Sequence, residues 1–125
     1  MSTRVHIEKL WAKEKYKVMY HSQSHYNHLR NVLKSEPTYE TVRTLIESAQ
    51  SVPPTQGSRI NTFDHVWGYF KNICDTAEKE EYKVLKQAIL SDIKEDTVMI
   101  GFLKHLSEKY QVSYLLNSSL IQSEK

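Results

Sequence analysis

The sequence predicts an all-α protein of about six helices, folded as a single compact domain over residues 1–125. Apolar residues recur at spacings of three and four along nearly the whole chain, which is the period of a helix with one buried face. Only three glycines and three prolines are present, too few for a loop-rich chain. No segment alternates polar and apolar residues as a half-buried strand would. A chain of 125 residues is long enough to bury a core without disulfides or metal.

The first three helices are predicted from apolar stripes separated by helix breakers. The first should run from Thr3 to Tyr20, the second from an N-cap at Ser22 or Ser24 to Lys34, and the third from Pro37 to Ser51. Pro53-Pro54 ends the third helix. The residues expected to face inward are Ile7, Leu10, Trp11, Val18, Tyr26, Leu29, Leu33, Tyr39, Val42, Leu45, Ile46 and Ala49.

The fourth helix, predicted near residues 59–74 with Ser58 as its N-cap, is expected to be central. Its apolar face consists of Ile60, Phe63, Val66, Trp67, Phe70, Ile73 and Cys74. At about 100° per residue, a narrow polar arc forms elsewhere on the helix from Asn61, His65, Gly68 and Asn72. A glycine inside a helix costs about 1 kcal/mol relative to alanine. We therefore expect another backbone segment or a ligand to approach Gly68.

The last two helices are predicted from N-cap signals. Asp75 followed by Glu78 resembles a capping box, and Asp96 or Thr97 should cap the sixth helix. Their inward residues are expected to be Tyr82, Leu85, Ile89, Ile93, Val98, Phe102, Leu103, Leu106 and Tyr110. The segment 114–120 should form one docked helical turn, and residues 123–125 should fray.

Composition excludes several classes of function. The net charge of +2 and pI near 8.6 are too mild to require a nucleic-acid partner. Cys74 is the only cysteine, so the chain cannot form an internal disulfide or hold an iron–sulfur cluster alone. It has no apolar stretch suited to a secretion signal or a membrane span. We expect a cytoplasmic protein that requires no cofactor and does not bind membranes.

The polar arc is the best candidate site. His65 has the side chain best suited to general acid–base chemistry near neutral pH, although a structural, hydrogen-bonded histidine is an equally good interpretation. Asn61 offers both a donor and an acceptor, and Tyr69 offers a stacking face. Lys71 and Arg59 supply positive charge for phosphate. Together these residues suit a nucleobase or nucleotide.

Two further patterns have less distinctive interpretations. Lys9, Lys13 and Lys17 form a basic ridge on the first helix that could follow a phosphate backbone, but such ridges are more often solvated faces. The histidines at 21, 25 and 28 could align on the second helix. Without a nearby acidic partner they are better explained as surface or capping residues. We therefore predict no metal site.

Three segments resemble the YbgA-like family of bacterial proteins, a domain of unknown function. They are 11–26, which reads WAKEKYKVMYHSQSHY; 61–71, which reads NTFDHVWGYFK; and Tyr114-Leu115. The resemblance covers nearly the whole chain, and some relatives fuse this domain to an iron–sulfur domain of the thiouracil-desulfidase type. It implies that the helical domain engages RNA or positions a substrate such as thiolated uridine in tRNA. The family's motif residues correspond here to Lys15, His21, Ser22, Tyr26, Asn61, His65, Gly68, Tyr69 and Lys71.

The departures from that family limit the activity of this chain. Gln56 stands where many relatives have arginine, and residues 92–97 lack the glycine and prolines usual before the sixth helix. One cysteine cannot replace the missing cluster domain, so we expect no desulfuration by this chain alone. With these departures, the resemblance implies an accessory module that binds tRNA or thiolated nucleotides alongside a separate iron–sulfur desulfidase. The alternatives are a small enzyme acting on a nucleotide-like substrate through His65, and a protein-interaction module that docks a desulfidase.

Overall fold

The computed structural model describes residues 2–122, and this part of the chain contains helices and turns but no strand. The prediction of an all-α fold is confirmed. Six helices of at least eleven residues are followed by two single turns: α1 (Ser2–His21), α2 (Gln23–Leu33), α3 (Tyr39–Gln50), α4 (Gln56–Trp67), α5 (Thr76–Leu90), α6 (Asp96–Lys109), α7 (Ser113–Leu116) and α8 (Ser119–Gln122).

The longest helix, α1, lies between two clusters of buried side chains. It packs against α2, α3, α4 and α8. One cluster joins α1, α2 and α3 through Ile7, Val18, Leu29, Val42, Ile46 and Ala49. The larger cluster joins α1 to α4, α5, α6 and the two terminal turns, and its largest fully buried members are Met19, Phe63, Phe70, Ile89, Met99, Leu103, Leu106, Leu115 and Ile121. The half-buried Tyr26 packs against both clusters.

Helix α4 begins and ends earlier than the sequence predicted. Thr55 is the N-cap: its Oγ1 accepts a hydrogen bond from the backbone N–H of Ser58, and Ser58 Oγ accepts one from the backbone N–H of Thr55, each at 3.0 Å. The prediction of Ser58 as N-cap is therefore wrong, because Ser58 is the third helical residue of a reciprocal capping box. Its hydroxyl also donates to the carbonyl of Tyr20 at 2.7 Å, which fastens α4 to the end of α1.

Gly68 is not inside a helix. It is the C-cap of α4, with φ −55° and ψ −24°, and the chain continues as turns to residue 74. A Cβ at this position would approach the carbonyl oxygen of His65, in the preceding turn, at 3.1 Å, and among the described residues no other segment comes within 4 Å. The expected approach of another backbone segment is therefore wrong, and the backbone angles of Gly68 are ones that any residue adopts.

Four residues predicted to face the core are exposed instead. Ile93 is 75% exposed because α5 ends at Leu90 and the chain then turns through Asp92, whose φ is 57°. Val98, Ile73 and Tyr39 are also exposed. Val98 lies in the first turn of α6, Ile73 lies beyond the end of α4, and Tyr39 is the first residue of α3.

The N-cap predictions for the other helices were partly right. Ser22 caps α2, and Asp75 with Glu78 forms a reciprocal capping box at α5, as predicted. Helix α6 begins at Asp96 after Glu95, which makes no side-chain cap bond, so neither Asp96 nor Thr97 is its N-cap.

The end of the described chain docks as two turns rather than the single predicted turn. Leu115, Leu120 and Ile121 are buried, and Ser119 Oγ donates to Glu14 Oε1 of α1 at 2.8 Å. The expected fraying of residues 123–125 lies outside the described residues. No helix within residues 2–122 is both long enough and apolar enough to cross a membrane.

Candidate functional site

A groove lies where the end of α1, the start of α2, the α3–α4 loop and one side of α4 meet. It has a volume of about 590 Å³. We call it the polar groove, and it is lined by His21, Ser22, Gln23, Ser24, Val52, Pro53, Thr55, Gly57, Ser58, Asn61 and His65. Four residues selected from the sequence, His21, Ser22, Asn61 and His65, therefore converge on one surface.

His21 presents a defined ring nitrogen to the polar groove. Its Nδ1 lies 2.8 Å from the carbonyl oxygen of Val52. Because a carbonyl only accepts, Nδ1 carries the proton in this contact. In the neutral ring Nε2 is then the acceptor, so His21 can receive a hydrogen bond from a ligand.

Two of the polar side chains are occupied by structural contacts. Asn61 Nδ2 donates to Gln23 Oε1, which links α4 to α2 at the groove. Ser22 Oγ accepts the backbone N–H of His25 at 3.2 Å and lies 2.8 Å from His25 Nδ1. Ser22 thus holds the start of α2, while the oxygen of the Asn61 amide remains without a partner among the described residues.

His65 lies at the rim of the groove and is exposed. Its imidazole makes no hydrogen bond, ion pair or ring contact with any residue from 2 to 122. Nothing in the fold therefore requires a histidine there, whereas a free imidazole beside a polar groove is suited to binding a ligand or transferring a proton.

Beyond the groove, three tyrosines and a lysine form a cluster that we call the tyrosine cluster: Lys15, Tyr16, Tyr69 and Tyr114. The Tyr16 and Tyr69 hydroxyls are 3.0 Å apart, and the Tyr69 and Tyr114 rings stack with centroids 6.4 Å apart at 22°. Lys15 Nζ lies 5.5 Å from the centroid of the Tyr16 ring and 5.7 Å from that of Tyr114. Tyr69 and Tyr114 remain 38% and 37% exposed.

Tyr16 is the fixed member of this cluster. Burial, helped by the contact with Tyr69, raises the pKa of the Tyr16 hydroxyl well above its usual value, so the group stays protonated at physiological pH. Tyr26 packs against the larger buried cluster, to which Tyr16 belongs. Tyr26 stacks on Trp11 with centroids 5.7 Å apart, and the Arg30 guanidinium lies 5.8 Å from its ring centroid. Trp11, Tyr26 and Arg30 thus form a second aromatic contact, between α1 and α2.

Arg59, Gly68 and Lys71 do not line the groove. Arg59 Nη1 lies 2.7 Å from Asp96 Oδ1, and Tyr20 donates to the other oxygen of the same carboxylate, so Arg59 joins α4 to α6. Gly68 is an exposed helix end. Lys71 lies in a separate depression that includes Tyr82 of α5. The structure thus places these three residues outside the polar groove and apart from one another.

The basic ridge also lies apart from the groove. Lys9 and Lys13 line a shallow depression with His6, Leu10 and Tyr39. In a helix, Lys17 of the basic ridge and Lys15 of the tyrosine cluster are about 200° apart around the axis, so they lie on different sides of α1. Within residues 2–122 no group of three or more His, Cys, Asp or Glu side chains is arranged to hold a metal ion.

Sequence reasoning did not select three residues that the structure places at these surfaces. Tyr16 lies within the 11–26 segment, but its helical position gives no sign that it would meet Tyr69. Tyr114 enters the sequence analysis through the Tyr114-Leu115 segment of the family resemblance and the docked turn, with no site role. Gln23 carried no sequence signal, because its role depends on the packing of α2 against α4.

Comparison with known proteins gives one match. A family described as "Protein of unknown function (DUF1722)" matches residues 15–123, nearly the whole chain. No curated protein and no solved structure matches.

Proposed function

From the premise that the chain belongs to the DUF1722 family of proteins of unknown function, we propose that it is a nucleic-acid-binding module that engages unpaired nucleotides of RNA such as tRNA. The exposed Tyr69–Tyr114 pair, with the Lys15 ammonium against it, is the observation that carries this proposal. Aromatic faces beside a basic side chain are the usual means of binding single-stranded nucleic acid, because every base can stack and every nucleotide carries a phosphate.

The tyrosine cluster is preorganised for stacking. The Tyr16 hydroxyl is hydrogen-bonded to the Tyr69 hydroxyl, and the exposed rings of Tyr69 and Tyr114 lie nearly parallel. Lys15 forms no ion pair with any described carboxylate. Its charge therefore remains available for a phosphate next to a stacked base.

The polar groove supplies hydrogen bonding close by in the chain, since only three residues separate His65 of α4 from Tyr69 in the turn that follows the helix. The acceptors and donors left for a ligand are His21 Nε2, the Asn61 amide oxygen and both nitrogens of His65. Such groups can pair with the edges of an unstacked base or with a ribose hydroxyl. The polar groove would thus form hydrogen bonds with a nucleotide next to the base that stacks on the tyrosine cluster.

Two equally exposed tyrosines on different faces provide a matched test. We expect Tyr114→Ala to raise the Kd for a single-stranded RNA oligonucleotide by about 5- to 150-fold, since stacking on one aromatic ring contributes about 1–3 kcal/mol. Tyr39→Ala, which removes a ring that is also 37% exposed, should leave the Kd unchanged. Fluorescence anisotropy with a labelled oligonucleotide and with bulk tRNA, at two salt concentrations, measures both.

The salt dependence gives a second criterion. Phosphate contacts release counterions, so binding must weaken as salt rises. Lys15→Gln should lower the slope of log Kd against log salt by the amount that corresponds to about one phosphate contact. Absence of binding at low salt, or equal losses for the Tyr114 and Tyr39 variants, would refute the proposal.

The accessory role beside a desulfidase rests on the resemblance to YbgA-like proteins. A separately encoded iron–sulfur desulfidase should then co-purify with this chain or convert thiolated tRNA faster in its presence. Because the tyrosine cluster would hold the RNA, Tyr114→Ala should remove the rate increase without removing co-purification.

An enzymatic alternative is favoured by one observation: two histidines line the same groove, and one of them is free. A pair of imidazoles can supply both the acid and the base of a hydrolytic or transfer step. Under this alternative His65→Ala abolishes turnover of a nucleotide substrate while binding persists. Under the proposed function, His65→Ala changes RNA binding, and neither the wild type nor the variant turns over a nucleotide substrate.

A further inference from the structure

We infer that the depression between the α4–α5 turn and α5 is a binding site for a phosphate or pyrophosphate group, separate from the polar groove and the tyrosine cluster. We call it the basic pocket; it is lined by Trp67, Lys71, Asn72, Lys79, Tyr82 and Lys83 and has a volume of about 220 Å³. Three lysines and no carboxylate line it. It is smaller than the roughly 300 Å³ expected of a site for a drug-sized ligand, so it suits a small anion.

The three lysines of the basic pocket have no partners in the fold. The side-chain ammonium groups of Lys71, Lys79 and Lys83 make no ion pair or hydrogen bond with any residue from 2 to 122. Lys79 and Lys83 lie one turn apart on α5 and so project from the same side of that helix. Three like charges around one depression repel each other, and an anion would relieve that repulsion.

The neighbouring acid does not cancel this charge. Asp64 is linked to the pocket through Tyr82, whose hydroxyl donates to Asp64 Oδ1 at 2.5 Å. The other oxygen, Oδ2, accepts from Lys86 at 3.0 Å. The Asp64 carboxylate is therefore already paired with a cation that lies outside the pocket lining.

The aromatic base of the pocket is rigid and contributes a further donor. The rings of Trp67 and Tyr82 stack at 4.4 Å with an angle of 2° between their planes, and Trp67 also stacks near Phe102. The Trp67 indole N–H makes no hydrogen bond with another described residue and is not among the buried polar atoms, so water reaches it. With the Asn72 amide and three ammonium groups, the pocket offers several donors to phosphate oxygens.

Trp67 makes the site directly observable. The chain has two tryptophans, so Trp11→Phe leaves Trp67 as the only indole. Inorganic pyrophosphate titrated into this variant at constant ionic strength should change the tryptophan emission saturably and shift the indole N–H cross-peak in a ¹H–¹⁵N spectrum. Sodium chloride alone should do neither.

Two double variants with the same change in net charge separate a site from a general charge effect. Lys79→Gln with Lys83→Gln should weaken pyrophosphate binding by about tenfold or more, as expected for two charge-assisted contacts. Lys9→Gln with Lys13→Gln, on a different face, should leave it unchanged. All four lysines are exposed, and circular dichroism confirms that both proteins fold.

The source of the phosphate is distinguished by competition. If the backbone of RNA occupies the basic pocket, an RNA oligonucleotide displaces pyrophosphate and shifts the same indole signal. If a small phosphorylated compound occupies it, RNA leaves that signal unchanged. No saturable response to pyrophosphate, or equal weakening by both double variants, would overturn the inference, and neither result depends on whether RNA binds the tyrosine cluster.

Discussion

Glu78 should make the stability of this protein depend on acid pH. Its carboxylate is buried in the first turn of α5 and accepts from Lys109 Nζ at 2.5 Å, from the Tyr110 hydroxyl at 2.6 Å and from the backbone N–H of Asp75 at 3.1 Å. Lys109 contributes most, followed by Tyr110, and together they lower the pKa of Glu78 to about 2. This one carboxylate joins α5 to the end of α6.

Glu78→Gln isolates the charge, because glutamine keeps the shape and can complete the same capping box. Hydrogen bonds to a charged group exceed neutral ones by about 1 kcal/mol, and two side-chain donors are affected. The exposure of Lys109 reduces the gain through solvent screening. We expect Glu78→Gln to lower the free energy of unfolding at pH 7 by about 1–2 kcal/mol, or Tm by about 4–8 °C.

The pH dependence of the stability difference between wild type and Glu78→Gln tests this assignment. A carboxylate whose folded pKa lies below its unfolded value of 4.5 stabilises above pH 4.5 and loses that contribution as the pH falls toward 2. The difference between wild type and Glu78→Gln, measured by urea unfolding with circular dichroism, should therefore shrink over this range. Glu81→Gln, an exposed control on the same helix, should show little difference. A gap that is constant with pH would refute the reasoning.

Three further substitutions test separate parts of the fold. Gly68→Ala should change the free energy of unfolding by less than about 0.5 kcal/mol, because its helical φ suits alanine while the 3.1 Å contact with His65 offsets the gain; a loss above about 2 kcal/mol in chemical denaturation contradicts this. Arg59→Gln should cost about 1–3 kcal/mol by the same measurement and leave RNA affinity unchanged, since its guanidinium is paired with Asp96; weaker RNA binding by the folded variant would instead assign Arg59 to phosphate. Leu115→Ala should cost about 2–4 kcal/mol in thermal or urea unfolding because the side chain is fully buried, and a neutral result would mean that α7 is not docked in solution.

Local signals predicted the helices well where one capping residue dominated. Asp75 with Glu78 fixed the start of α5, and Ser22 fixed that of α2. Local signals did not locate the start of α4, because both Thr55 and Ser58 can cap a helix and only the reciprocal hydrogen bonds decide between them. Asp96 has the right chemistry for a cap, yet its carboxylate is occupied by Arg59 and Tyr20 from other helices.

The candidate site was predictable only within one helix. Helical spacing correctly placed Asn61 and His65 on one side of α4, where they line the groove. It could not place Tyr69, since the helix ends at Trp67 and the angular relation is lost beyond that point. It also could not bring Tyr16 and Tyr114 to Tyr69, because such contacts depend on how α1 and α7 pack.

Glu14 has a consequence for biosynthesis. Its Oε1 accepts both Gln50 Nε2 and Ser119 Oγ, each at 2.8 Å, so the first helix binds a residue 105 positions later in the chain. As the polypeptide leaves the ribosome, α1 can pack on α2, α3 and α4 early, but the surface that α8 covers stays exposed until residues near 120 emerge. During that interval the apolar side chains that Leu120 and Ile121 cover in the folded protein remain in contact with water.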